Sequence, residues 1–106
     1  MRKINHFGVP TKESQPGEMY NEGMKLFLTD YEKSPNRIEF LRFDEDSWMP
    51  EILKKHAHIA YEVDSIEDEM KGKTVVLPVT KLSDELTIAF IEEEGIGIEL
   101  MEFTKK

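Results

Sequence analysis

The sequence has 106 residues, 39% hydrophobic and 34% charged, with no cysteine and a net charge of −8. That length and balance predict a single folded globular domain. The acidity excludes a non-specific binder of nucleic acid or of anionic membranes, both of which need a basic face, and the lack of thiols excludes disulfides, thiolate metal sites and a cysteine nucleophile.

Residues 3–9 form an apolar-rich segment that predicts a strand, stopped at Pro10. Residues 11–23 turn polar and small, with Pro16, Gly17 and Gly23, and predict a loop with one helical turn near 18–22. Residues 24–31 predict a strand, 32–36 a hairpin turn around Ser34-Pro35-Asn36, and 37–43 the return strand. An acidic break at 44–47 leads to Ser47 as a helix cap, with Pro50 in the first turn and a helix running to about Lys55. After His56, residues 57–63 predict a strand. Asp64-Ser65 offers an N-cap for a short helix over 66–71, stopped by Gly72. Residues 73–79 predict an edge strand because of Pro78. Residues 86–91 and 96–103 predict a hairpin closed by a turn at 92–95, and 104–106 a short tail. Runs of strands with few helices predict an α+β fold rather than a doubly wound one. No stretch approaches the ~20 apolar residues of a membrane span, and the first residues lack the apolar run of a signal peptide. The expected location is the cytoplasm.

The two halves repeat. One opens Asn5-His6-Phe7-Gly8-Val9 and closes Arg37-Ile38-Glu39-Phe40-Leu41. The other opens Ala57-His58-Ile59-Ala60-Tyr61 and closes Gly97-Ile98-Glu99-Leu100-Met101. Each half thus supplies a histidine on its first strand and a glutamate on its last. Period two places His6 with Ile4 and Gly8, Glu39 with Leu41 and Phe43, His58 with Ala60, and Glu99 with Met101 and Phe103. An ionised carboxylate among such neighbours is costly unless paired or metal-bound. Two imidazoles and two carboxylates would together satisfy one divalent cation. A lone strand histidine is usually structural and a terminal-strand glutamate usually solvated; it is the paired arrangement that raises the metal reading. His56 has no counterpart in the first half and reads as solvent-exposed or as a supporting residue. Phe40, Phe43 and Trp48 read as packing, and Glu92-Glu93-Glu94 as a solvated turn.

Through INHFGV, RIEFLRF, HIAYEVDSIEDEM and LTIAFIEEEGIGIELMEF, the sequence resembles the vicinal oxygen chelate superfamily. That superfamily contains glyoxalase I, methylmalonyl-CoA epimerase, extradiol dioxygenases, fosfomycin resistance proteins and bleomycin-binding proteins. The resemblance implies one domain of two βαβββ modules (1–46 and 56–106, joined by a linker helix over 47–55) that form a curved mixed sheet around a metal cavity. It implies a glyoxalase-like ligand set of His6, Glu39, His58 and Glu99, suited to Zn²⁺ or Ni²⁺ and also to Co²⁺, Mn²⁺ or Fe²⁺. The implied function is a metal-dependent lyase or isomerase for a small carbonyl or vicinal-oxygen substrate, with Glu99 as base and Glu39 as its partner. The alternative is a non-catalytic small-molecule binder of the bleomycin-resistance type, with its groove at a dimer interface. A homodimer is expected in either case. The first module departs from the pattern: its helix and the strand after it are reduced to residues 11–23, with Met19-Tyr20 and Glu22-Gly23 as remnants. That loss would leave apolar surface around Phe7, Phe27 and Phe40, and the basic residues that hold glutathione have no counterpart.

Overall fold

A computed structural model describes residues 1–104. Its strands are β1 (Lys3–Pro10), β2 (Met19–Asn21), β3 (Leu26–Leu28), β4 (Ile38–Phe43), β5 (His58–Glu62), β6 (Thr74–Lys81), β7 (Leu86–Glu93) and β8 (Ile96–Phe103). Two short helices, α1 (Glu51–Lys55) and α2 (Ile66–Met70), accompany them. All eight strands lie in one curled sheet in the order β2-β3-β4-β1-β5-β8-β7-β6, so the fold is α+β as expected. The order is symmetric about the central β1–β5 pair. β1 runs parallel to β4 and β5 parallel to β8, while β1 and β5 are antiparallel. The sequence repeat is therefore a repeat of topology.

Alternation separates two apolar layers. On one side Leu26, Leu41, Ala60, Ile88, Phe90 and Met101 pack with Met49 and Leu53 from the linker. Leu53 lies over Gly97, where a β-carbon would meet its Cδ2 atom at 2.5 Å, so this glycine makes room for α1. On the other side Ile91, Ile98 and Leu100 pack against Val63 and Ile66. There α2 covers the second half of the sheet, and Ser65 caps it as expected, its Oγ accepting from the Asp68 amide at 3.2 Å. The first half has no such helix among the described residues, and Phe7, Phe27 and Phe40 are only half-buried.

Several elements differ from the sequence expectation. The predicted helical turn at 18–22 is instead the edge strand β2, whose Tyr20 pairs with Phe27 in backbone register and meets its ring at 4.7 Å with a 55° tilt. Pairing with β3 outweighs the local polar composition. The strand predicted over 24–31 is regular only over β3. Lys25 takes a left-handed φ of 57°, and Tyr31–Lys33 form a 3-10 turn capped by Asp30. Ser47 does not cap α1: its hydroxyl donates to the Met24 carbonyl at 2.7 Å, and Pro50 takes the cap position. The β7–β8 turn is tighter than the predicted four residues. Glu94 and Gly95 alone form it, with φ of 54° and 83°, the two positive angles of a type I′ hairpin. β6 is an edge strand as expected, with register shifts flanking its middle. No helix among the described residues is long and apolar enough to cross a membrane.

Candidate metal centre

The strand order sets two rows of residues side by side on one face. Gly8 is the backbone partner of Glu39 on β4 and of His58 on β5. Ala60 is the partner of His6 on β1 and of Glu99 on β8. Each row thus carries a glutamate and a histidine with a small residue between them. Gly8 has no side chain and Ala60 only a methyl, so the larger side chains can lean together over these gaps. The two rows are related by the same approximate symmetry as the halves.

All four side chains meet. His6 Nε2 lies 3.6 Å from Glu39 Oε1 and 3.5 Å from Glu99 Oε1, and His58 Nε2 lies 3.2 Å from Glu99 Oε1. Donor atoms of His6, Glu39 and His58 all fall within 4.8 Å of one another. The imidazoles are buried, with 3% of each side chain exposed, and the carboxylates nearly so, at 16% and 9%. His56, by contrast, is exposed at the end of α1 and takes no part.

The orientation of His6 is set by its neighbours. Asn5 Nδ2 donates to the Glu62 carboxylate at 2.8 Å, so Asn5 Oδ1 faces His6 Nδ1, 2.7 Å away, and accepts a hydrogen bond from it. In the neutral ring the lone pair then sits on Nε2, the atom aimed between the two carboxylates. Tyr31 stacks on the His6 ring at 4.1 Å with an 11° tilt, and the Arg37 guanidinium lies 4.9 Å above the tyrosine ring. Phe90 meets the His58 ring edge-on at 5.1 Å. Asn5, Glu62 and Tyr31 were not singled out from the sequence. Only the position of Asn5 beside a candidate ligand offered a signal.

The electrostatics of the group favour a cation. Burial pushes the Glu39 carboxyl up to about 7, and Glu99 adds to that while His6 opposes it. Burial acts the same way on Glu99, but the neighbouring His58 and His6 outweigh it and hold its carboxyl well below the usual range. His6 Nε2 is buried without a hydrogen-bond partner among the described residues, although two carboxylate oxygens stand near it. Atoms bound about 2.1 Å from a common ion sit about 3–4 Å apart, close to the separations seen here. The donor set and the orphaned nitrogen therefore fit a divalent metal ion. His58 Nδ1 is also buried without a partner among the described residues; its half of the site has the exposed Ala57 where the other half has Asn5.

Beside Glu39, His58 and Glu99 opens a cavity of about 130 Å³, otherwise walled mainly by leucine, methionine and phenylalanine.

No protein-family model and no curated protein matches the chain. Solved structures do. A hypothetical protein from Bacillus halodurans superposes with a TM-score of 0.70 at 19% identity, over 99% of this chain and 96% of that one. Methylmalonyl-CoA epimerase from Mycobacterium tuberculosis does so with a TM-score of 0.62 at 18% identity, over 97% and 89%. A mutant 4-hydroxymandelate synthase from Streptomyces coelicolor does so with a TM-score of 0.55 at 12% identity, over 97% of this chain and 48% of that one. The chain shares the fold of these proteins.

Proposed function

We propose that this chain is a metal-dependent enzyme of the vicinal oxygen chelate superfamily, a lyase or isomerase acting on a small carbonyl or vicinal-oxygen substrate. The observation that carries the reading is the clustering of His6, Glu39 and His58, joined by Glu99 against both imidazoles, with an imidazole nitrogen among them that has no hydrogen-bond partner among the described residues. The shared fold with an epimerase and a 4-hydroxymandelate synthase supports it by analogy. These four residues would hold Zn²⁺ or Ni²⁺, with Co²⁺, Mn²⁺ and Fe²⁺ also compatible with the donors. A metal bound there supplies Lewis-acid polarisation of a substrate oxygen and stabilises enolate-like charge.

The protein's own groups divide the remaining work. Both carboxylates line the cavity and can reach a substrate carbon held in it. With no metal bound, burial brings the Glu39 carboxyl to about 7; a cation held there would lower it. The resemblance gives the proton-transfer role to Glu99 with Glu39 as its partner, and both carboxylates stand at the cavity. The cavity walls are mainly apolar, which strengthens each electrostatic contact beside them.

Metal content of the purified protein, measured beside His58→Ala, tests the reading. The expected result is one divalent ion per chain and its loss in the variant, followed by turnover on hemithioacetals, acyl-CoA epimers or catechols. A wild-type protein that takes up none of these metals would overturn it. A metal-free homodimer that binds a cationic small molecule would establish the binding-protein alternative, for which the half-buried Phe7 and Phe40 face offers an interface.

A further inference from the structure

The cavity beside the four ligands has two unlike ends. Glu39, His58 and Glu99 form its polar end, while Met24, Leu28, Leu41, Met49, Ile88 and Phe90 are among the walls of the rest. Those walls come from both halves and the linker, so the space is a product of the whole fold. The residues lining it include no lysine or arginine. An anionic group carried inside would meet two carboxylates and no protein cation, at a high desolvation cost.

From this polarity and size we infer that the site selects a compact ligand with an oxygen chelate at one end and a small uncharged apolar group at the other. An apolar cavity of about 150 Å³ holds one benzene, and the present cavity is of about 130 Å³. The inference rests on the proposed metal site for its polar end and on the cavity wall for its apolar end. A phosphate or carboxylate on the ligand has to stay outside, in solvent. Short branched or linear 2-oxo and 2-hydroxy carbonyl compounds have the required shape.

The test uses alkyl hydroxamates, which chelate through two oxygens, titrated calorimetrically into the full chain loaded with Zn²⁺. Metal stoichiometry is measured first and separately. From acetohydroxamate to hexanohydroxamate the affinity is expected to rise about fourfold per methylene, and octanohydroxamate is expected to gain nothing further. Succinic monohydroxamate, with a charged tail of similar length, is expected to bind at least about tenfold more weakly than pentanohydroxamate. Met24→Trp places bulk in the cavity from a half-buried position and is expected to remove the chain-length gain. Leu82→Asp, at a lining residue that is itself 44% exposed, is expected to reduce the gain without disturbing the core. One equivalent of metal with a flat chain-length series, or with equal affinity for the charged tail, overturns the inference and leaves the metal site standing. Failure to take up metal overturns both.

Discussion

The imidazole of His58 lies so close over Gly8 that a β-carbon on Gly8 would sit 2.0 Å from its Cε1 atom. The same glycine is the backbone partner of Glu39 on its other side. Its bare Cα is thus the gap across which the two modules' ligands approach. Gly8→Ala is expected to push the His58 ring aside and weaken Zn²⁺ binding by about 10–100-fold, the range for residues that orient a ligand. Titration calorimetry measures the loss, and a circular-dichroism melt checks that the strand survives. An unchanged affinity would show that the ring can take up the metal from another rotamer.

Asn5 links Glu62 to His6 and so decides which nitrogen of His6 carries a proton. Asn5→Leu removes both bonds and is expected to lower metal affinity about 10–100-fold and stability by about 1–3 kcal/mol through the unpaired buried Nδ1. Asn5→Asp restores an acceptor for His6 but faces the Glu62 carboxylate, so its affinity is expected to lie between the two. Equal affinity in all three proteins would remove Asn5 from any part in positioning the site.

Leu100 is fully buried in the layer under α2, on the face opposite the metal ligands. Leu100→Ala is expected to cost about 2–5 kcal/mol through lost transfer energy and an unfilled cavity. Val79, 56% exposed on the edge strand, provides the contrast. Val79→Ala is expected to change stability by no more than about 0.5 kcal/mol. Urea midpoints for the two variants separate these outcomes.

Arg2 grips Glu93 with two hydrogen bonds of 2.7 and 2.9 Å and also donates to Glu69. The Arg2 contact, joined by Lys73, holds the Glu93 carboxyl down at about 2, from an ordinary value of 4.5. Because the folded state prefers the ionised form, this stabilisation is fully present above about pH 4.5 and is lost as the pH falls through about 2. Arg2→Gln is expected to flatten that part of the stability curve and to cost about 1 kcal/mol or less at neutral pH, since the pair is partly solvated. Thermal melts from pH 2 to 7 would show an unaltered acid slope if Arg2 were not the cause.

Much of the scaffold was legible in the sequence because strand pairs with one buried face leave a period-two trace. The repeated histidine and glutamate strands, the Ser65 cap and the Pro78 edge all depend on local chemistry, and each is present. β2 was not legible. Three residues set between Gly17 and Gly23 carry too short a pattern, and they are extended because β3 offers them hydrogen bonds. Ser47 was misplaced for a related reason: its hydroxyl finds the Met24 carbonyl, 23 residues away, in preference to the neighbouring helix.

By itself the sequence determined which side chains share a face, because alternation along a strand is a property of the backbone. It also determined that the halves match, and so that a histidine and a glutamate come from each. Only the tertiary structure decided that those four meet. Their meeting requires the strand order β4-β1-β5-β8 and the register that sets Gly8 and Ala60 between the ligand pairs. That register is held by hydrogen bonds between segments distant in the chain, and a slip of one residue would turn each ligand to the opposite face.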